Sequence, residues 1–320
     1  MTQLRHFSQP PPRRQGELGV HSLDWFNLSV PKIEEARKFY STFGLDVKEE
    51  GNALNIYTYG HPHRWGTVVE GPRKKLQVIS FGAFEDDLPR FRERLQQLRI
   101  KQMSPPHGTE SNGLWFRDPD GSLLEIRVAK KSSPNEKSLL ENVWAPAGIA
   151  AAPRRSKVPV VRPRRLTHIL VFTRDISTAI KFYGKVLGLR LSDRSGDRIA
   201  FMHGIHGSDH HIIAFVKSEG PGLHHLSWDV PSIDQIGLGA MHMADKGFVV
   251  GWGLGRHALG SNYFHYVRDP WGSYAEYSCD IEYIPVGHDW KATDHLHEDS
   301  IYVWGPVPPA DFAFNHEMAS

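Results

Sequence analysis

The chain has 320 residues, 40% hydrophobic and 23% charged, an ordinary balance for a protein that buries a core. Lys plus Arg number 38 and Asp plus Glu 36, a net charge of +2 that argues against a dedicated nucleic-acid or membrane-surface binder. A single cysteine, Cys279, excludes an intramolecular disulfide framework and a cysteine-rich zinc site, and no apolar run is long enough to predict a transmembrane helix.

The first 19 residues, with Pro10, Pro11 and Pro12, read as an extended arm without the apolar stretch of a signal peptide, so a cytoplasmic location is expected. Residues 23–44, LDWFNLSVPKIEEARKFYSTFG, predict a strand and then a helix, with Pro31 in the first turn and Gly44 at the end. A first domain is read over 20–127, closing on FRDPDGSLLE at 116–125. Residues 128–164 are rich in Pro, Ala and basic side chains and read as a solvated linker. A second domain over 165–290 opens on LTHILVFTRDISTAIKFYGKVLG, a strand and then a helix near 175–187. Strands are expected near 198–204, 210–216 and 223–230, a helix near 232–246 capped by Ser232, and strands near 262–268 and 273–279. GWGLGRH at 251–257 lacks the spacing of a phosphate loop and reads as a turn, and residues 291–320 form a tail.

The two halves repeat. K-F-Y recurs from Lys38 to Lys181, 143 residues on, and R-D-P-x-G-S recurs from Arg117 to Arg268, 151 residues on. The pattern predicts an α+β fold of two tandem domains, each a pair of βαβββ units curled into an open barrel around a pocket.

Histidine is the unusual component. Of 19, five precede residue 165 and 14 follow it. His168, His225 and Glu276 fall on three different predicted strands. Two neutral imidazoles and one carboxylate on one face of a metal leave the opposite face open, the facial triad of non-haem Fe(II) sites, with Mn(II) the second choice. Strand alternation then allows only one of His224 and His225, and one of His210 and His211, to face the pocket. By the same alternation Cys279 faces away from Glu276 and reads as a buried, inert thiol. His203, His206, His242 and His265 read as surface residues of strand, loop or helix. His295, His297 and Glu298 make an H-L-H-E that nothing nearby completes into a metal site. Trp228, Trp252 and Tyr263 suit either a pocket wall or the core.

The repeat supplies an internal control. It sets His168 opposite Trp25, His225 opposite Val78 and Glu276 opposite Glu125. The first half keeps the carboxylate without the imidazoles, so only the second half is expected to bind metal, and Glu125 reads as structural.

The blocks LTHILVF, GLHHLSWDV, SNYFHYVRDPWGSYAEY and the tail HEDSIYVWGP resemble the type I extradiol ring-cleaving dioxygenases of the vicinal oxygen chelate superfamily. The resemblance implies that His168, His225 and Glu276 hold Fe(II), and that His211, His257 and Tyr266 surround a bound catechol. It further implies that His211 is the acid/base, that dioxygen is the second substrate, and that the protein is a homo-oligomer. Two other readings remain: another metal-dependent enzyme of the superfamily, such as a glyoxalase-like isomerase, and a non-catalytic binder of small ligands.

Overall fold

The computed structural model describes residues 11–106, 109, 111–141 and 145–318. Most of the N-terminal arm, residues 1–10, lies outside the described residues, as do linker residues 142–144 and tail residues 319–320.

The first half contains β1 (Ser22–Val30), α1 (Ile33–Phe43), β2 (Asp46–Glu50), β3 (Ala53–Tyr57), β4 (Gly66–Glu70), β5 (Lys75–Ala83), α2 (Leu88–Gln97), β6 (Leu114–Arg117) and β7 (Leu123–Val128). These strands form one sheet in the order β2-β3-β4-β1-β5-β7-β6. The second half contains β8 (Arg165–Thr173), α3 (Ile176–Leu187), β9 (Arg190–Ser195), β10 (Ile199–His203), β11 (Ser208–Asp209), β12 (Ile213–Lys217), β13 (Gly222–Asp229), α4 (Ile233–Asp245), β14 (Gly251–His257), β15 (Tyr263–Arg268) and β16 (Tyr274–Cys279). Three short strands follow: β17 (Tyr283–Ile284), β18 (Thr293–Asp294) and β19 (Tyr302–Trp304). The second sheet runs β18-β9-β10-β12-β8-β13-β16-β15-β14-β19, while β11 pairs with β17.

Without the two tail strands, the second sheet repeats the first strand for strand, and β14 adds one. In the first half that extra strand shrinks to a single bridge between Met103 and Trp115. Each half is thus an α+β unit built twice over, with parallel pairs β1–β4 and β5–β7 matched by β8–β12 and β13–β16.

The helices follow from local chemistry. Asp175 accepts the N–H of Thr178 to cap α3, and Ser232 accepts that of Gln235 to cap α4. Helix α1 starts at Ile33, after Pro31, and ends at Gly44, whose φ of +101° is left-handed. A Cβ at Gly44 would also strike the Val161 carbonyl of the linker. Helix α1 buries Ala36, Phe39, Tyr40 and Phe43 and packs beside α4, while α2 packs beside α3, so the helices seam the halves together.

The two repeated motifs meet across that seam. Tyr183, from the second K-F-Y, donates to Asp118 of the first R-D-P at 3.0 Å. Across the same seam, Tyr277 stacks on Phe43 at 3.8 Å and donates to its carbonyl. Lys74 is buried at the same junction. It forms an ion pair with Glu317 of the tail at 3.0 Å and donates to the carbonyl of Leu223.

Two expectations fail here. GWGLGRH is strand β14, because the backbone of residues 251–256 pairs with β15 and its glycines admit the Tyr266 backbone and the rings of Phe264 and His265. The strand expected at 210–216 starts only at Ile213; before it, Ser208–Asp209 pair with β17 instead. No helix among the described residues is long and apolar enough to cross a membrane.

Candidate active site

Three central strands set the site. His168 of β8 lies opposite Ser227 of β13, which lies opposite Glu276 of β16; His225 is two residues before Ser227 on the same strand. Alternation along β13 therefore puts His225 on the face that carries His168 and Glu276. The Nε2 atoms of His168 and His225 are 3.2 Å apart, and they lie 3.4 and 3.6 Å from Oε2 of Glu276. All three residues are buried, and theirs is the one group of three His, Cys, Asp or Glu among the described residues whose ligand atoms converge within 4.8 Å.

The neighbours aim these atoms. Thr167 Oγ1 lies 3.0 Å from Nδ1 of His168, and Nδ1 of His224 lies 2.7 Å from Nδ1 of His225, so each Nε2 that faces Glu276 is oriented from behind. Asn262 donates to Oε1 of Glu276 at 3.1 Å. Oε2 of Glu276 is buried and accepts no hydrogen bond, an arrangement expensive for a carboxylate unless a cation meets it. Burial pushes the Glu276 carboxyl up, but the close imidazoles of His168, His257 and His225 hold it well below the usual range. The donor set fits a divalent metal of the Fe(II) or Mn(II) kind.

The first half shows the same framework with the site filled. Trp25, Ser80 and Glu125 stand in the register of His168, Ser227 and Glu276. Trp115 faces Glu125 where Tyr266 faces Glu276. Trp25, Val78 and Trp115 pack as an apolar cluster. Both Glu125 oxygens are occupied: Oε2 accepts from Trp25 Nε1 at 3.1 Å and Ser80 at 2.6 Å, and Oε1 accepts from Ser111. Glu125 is a structural carboxylate.

A cavity of about 430 Å³ opens above the second-half triad. His211, His257 and Tyr266 line it together with His168 and His225. His257 donates through Nδ1 to the Ile301 carbonyl at 2.7 Å, which leaves its Nε2 to accept from the Tyr266 hydroxyl at 2.8 Å. Burial, and the Glu276 carboxylate after it, push the Tyr266 phenol well above its ordinary value, so it stays a donor. Burial and the surrounding imidazoles push His211 well below its ordinary value, so it stays neutral near pH 7. Apolar walls come from Leu170, Phe201, Leu259 and Trp252, and from Ile301 and Phe312 of the tail.

Some assignments change. His224 lines the cavity beside His225, because the pairing of β13 with β8 slips between Leu223 and His225 and strict alternation breaks there. His210 and His211 lie outside any regular strand, and their rings touch through Nδ1 atoms 3.1 Å apart. His203 and His206 are buried, not superficial; His203 is held by Ser192 and His206 by the Gly19 carbonyl. Trp252 is wall and Trp228 is core, while Tyr263 accepts from Arg256. From H-L-H-E, His295 bonds Asp193 and His297 reaches the cavity edge. Burial pushes Cys279 up to about 12, as expected of an inert thiol. Asn262 was missed, although the repeat carried its signal. The 151-residue offset sets it opposite Ser111, which likewise donates to the Glu of its own half.

Residues 22–126 and 165–277 match the Glyoxalase/Bleomycin resistance protein/Dioxygenase superfamily. The chain is 46% identical over 310 residues to Metapyrocatechase 2 of Cupriavidus necator, covering 97% of this chain and 96% of that one. The chain belongs to this superfamily and to its extradiol dioxygenase branch. A manganese-dependent 2,3-dihydroxybiphenyl 1,2-dioxygenase of Geobacillus genomosp. 3 is 23% identical to this dioxygenase over 303 residues, with 87% and 92% of the two chains covered. The Mn(II)-bound glyoxalase of Novosphingobium aromaticivorans superposes on the extradiol fold with a TM-score of 0.72 at 25% identity, covering 91% of this chain and 93% of that one.

Proposed function

We propose that this enzyme opens the ring of a catechol with dioxygen, cutting the bond beside the two hydroxyls rather than between them, in the breakdown of aromatic compounds. One ring C–C bond breaks, and both atoms of dioxygen end in a hydroxymuconic semialdehyde or its ketone analogue. The observation that carries the reading is the open Oε2 of Glu276, facing two imidazole nitrogens at the floor of the cavity. In this reading His168, His225 and Glu276 hold Fe(II). Bound there, the metal supplies an electrophilic centre for the diol oxygens and a conduit for electrons from ring to dioxygen.

The remaining steps belong to the chain's own side chains. Neutral His211 takes the proton that a diol hydroxyl loses on binding, and returns it to an oxygen later in the cycle. The Tyr266 hydroxyl, which donates to Nε2 of His257 in the free site, turns its one hydrogen bond to the deprotonated diol oxygen when substrate binds. Phe201, Trp252 and Phe312 clasp the ring and exclude water. The cavity exceeds the needs of one bare ring, which supports a catechol carrying an apolar substituent.

Iron is proposed from the two-histidine, one-carboxylate donor set, although two similar proteins carry manganese in their names. Loading the metal-free protein anaerobically with Fe(II) or Mn(II), then adding catechols and oxygen, tests both points. Oxygen uptake with a yellow product, larger with iron, is expected; none with any diol in metal-loaded protein would sink the reading. A glyoxalase-like isomerase is the second reading, favoured by the Novosphingobium neighbour, and it predicts turnover without oxygen uptake. We also propose the domain limits 20–127 and 165–290, the linker 128–164, a cytoplasmic location and a homo-oligomer. Exposed Val303, Trp304 and Val307 at the sheet edge support the last.

A further inference from the structure

Behind His211, on the side away from the cavity, lies a carboxylate that the chemistry above does not use. Asp193 of β9 is buried. Its Oδ2 is 2.9 Å from Nε2 of His210. Its Oδ1 meets two donors, the backbone N–H of Thr293 at 2.9 Å and Nε2 of His295 at 3.1 Å. Nδ1 of His210 in turn lies 3.1 Å from Nδ1 of His211. The pair of rings is held from every side. His210 donates its backbone N–H to Glu282, and Trp290 abuts its ring. Gly260 has φ of +83°, and a Cβ there would press on both imidazoles at 3.3–3.4 Å.

We infer that Asp193 and His210 are positioning residues, which fix His211 in the tautomer that turns a bare Nε2 to the cavity. The inference rests on the acid/base role proposed for His211. A carboxylate only accepts, so Nε2 of His210 carries its hydrogen. A neutral imidazole has one N–H, so Nδ1 of His210 is a lone pair. Only an N–H can approach it at hydrogen-bond distance, so Nδ1 of His211 donates. That leaves Nε2 of His211 able to accept a proton from a bound diol without first exchanging its own. Although burial pushes the Asp193 carboxyl up, the hydrogen bonds of His210, Thr293 and His295 hold it below the usual range.

Asp193→Asn should reverse the whole chain of donors. Two N–H groups point at Oδ1, so the amide oxygen settles there and its NH2 faces Nε2 of His210. His210 must then accept at Nε2 and donate at Nδ1, which makes Nδ1 of His211 an acceptor and places the hydrogen on its Nε2.

The test is a neutron structure of the deuterium-exchanged full chain, wild type and Asp193→Asn, with steady-state kinetics and metal analysis. The wild type is expected to carry deuterium on Nδ1 of His211 and the variant on Nε2. In the variant kcat falls ~10²-fold, while KM stays within about threefold and metal content is unchanged. Deuterium on Nε2 of His211 in the wild type would overturn the inference, whether or not the variant folds. So would a variant with unaltered kcat. A wild-type chain with the expected deuterons but no oxygen uptake would sink the ring-cleavage reading and leave the tautomer assignment standing.

Discussion

The surroundings of one carboxylate decide whether each half is open to a cation. Glu125 and Glu276 occupy the same place on matching strands, yet one has both oxygens saturated and the other keeps Oε2 open. The difference lies in three substitutions around the carboxylate: Trp25, Val78 and Trp115 where the second half has His168, His225 and Tyr266. Asn262 holds the other oxygen and so sets the angle of the open one. Asn262→Ala is expected to weaken Mn(II) or Fe(II) binding by ~10-fold or more, read by anaerobic calorimetric titration. Replacing Glu276 with Gln should abolish stoichiometric metal in elemental analysis of folded protein. His211→Phe should retain metal and lose turnover by ~10²-fold or more; unaffected turnover would remove its acid/base role.

At the scale of the element, the tail is part of the machinery rather than an appendage. Its Ile301 carbonyl fixes the tautomer of His257, and Phe312 closes the cavity over Tyr266 and Tyr274. Further on, Glu317 is anchored by Lys74 of the first half and by the N–H groups of Leu76 and Leu223. Lys74→Met removes a buried ammonium that pairs with the Glu317 carboxylate and should destabilise the fold by about 3 kcal/mol in urea denaturation. Because Glu317 ties the end of the segment that carries Phe312, the same variant should also raise KM for a catechol. Truncating Phe312 to Ala should raise KM with little change in stability, since its ring packs on the cavity rather than in the main core.

For the whole molecule, the buried histidines make folding sensitive to acid. Burial above all pushes His21 and His203 down to about 3. Their folded pKa lies below the unfolded value of about 6.5, so their contribution is complete above that pH and is lost as pH falls toward 3. Each costs about 2 kcal/mol by pH 5, because the unfolded chain takes up the proton first. Asp24 and Asp118, pushed up to about 6 chiefly by burial, act in the opposite sense over pH 4–6. The clean measurement is therefore a difference: the stability gap between wild type and His203→Gln should narrow by about 2 kcal/mol from pH 7 to pH 5. A gap independent of pH would contradict the assignment.

The amino-acid sequence alone determined the duplication, the α+β class and the side chains that converge, because these follow from motif spacing and from period-two alternation on regular strands. Alternation failed where strands were irregular. The slip beside His225 brings His224 to the cavity, and the break before Ile213 sets His210 against His211. Nor could local pattern reveal that GWGLGRH is a strand, since what pairs it is β15 and what its glycines accommodate are the backbone and rings of that strand. Tertiary structure alone decided which carboxylate oxygens are satisfied, which histidines are buried, and that Asp193 and His295 stand behind His211. The physical reason is the same in each case: hydrogen-bond saturation and burial are set by groups that meet in space across as many as 187 residues of sequence, and no local periodicity encodes them.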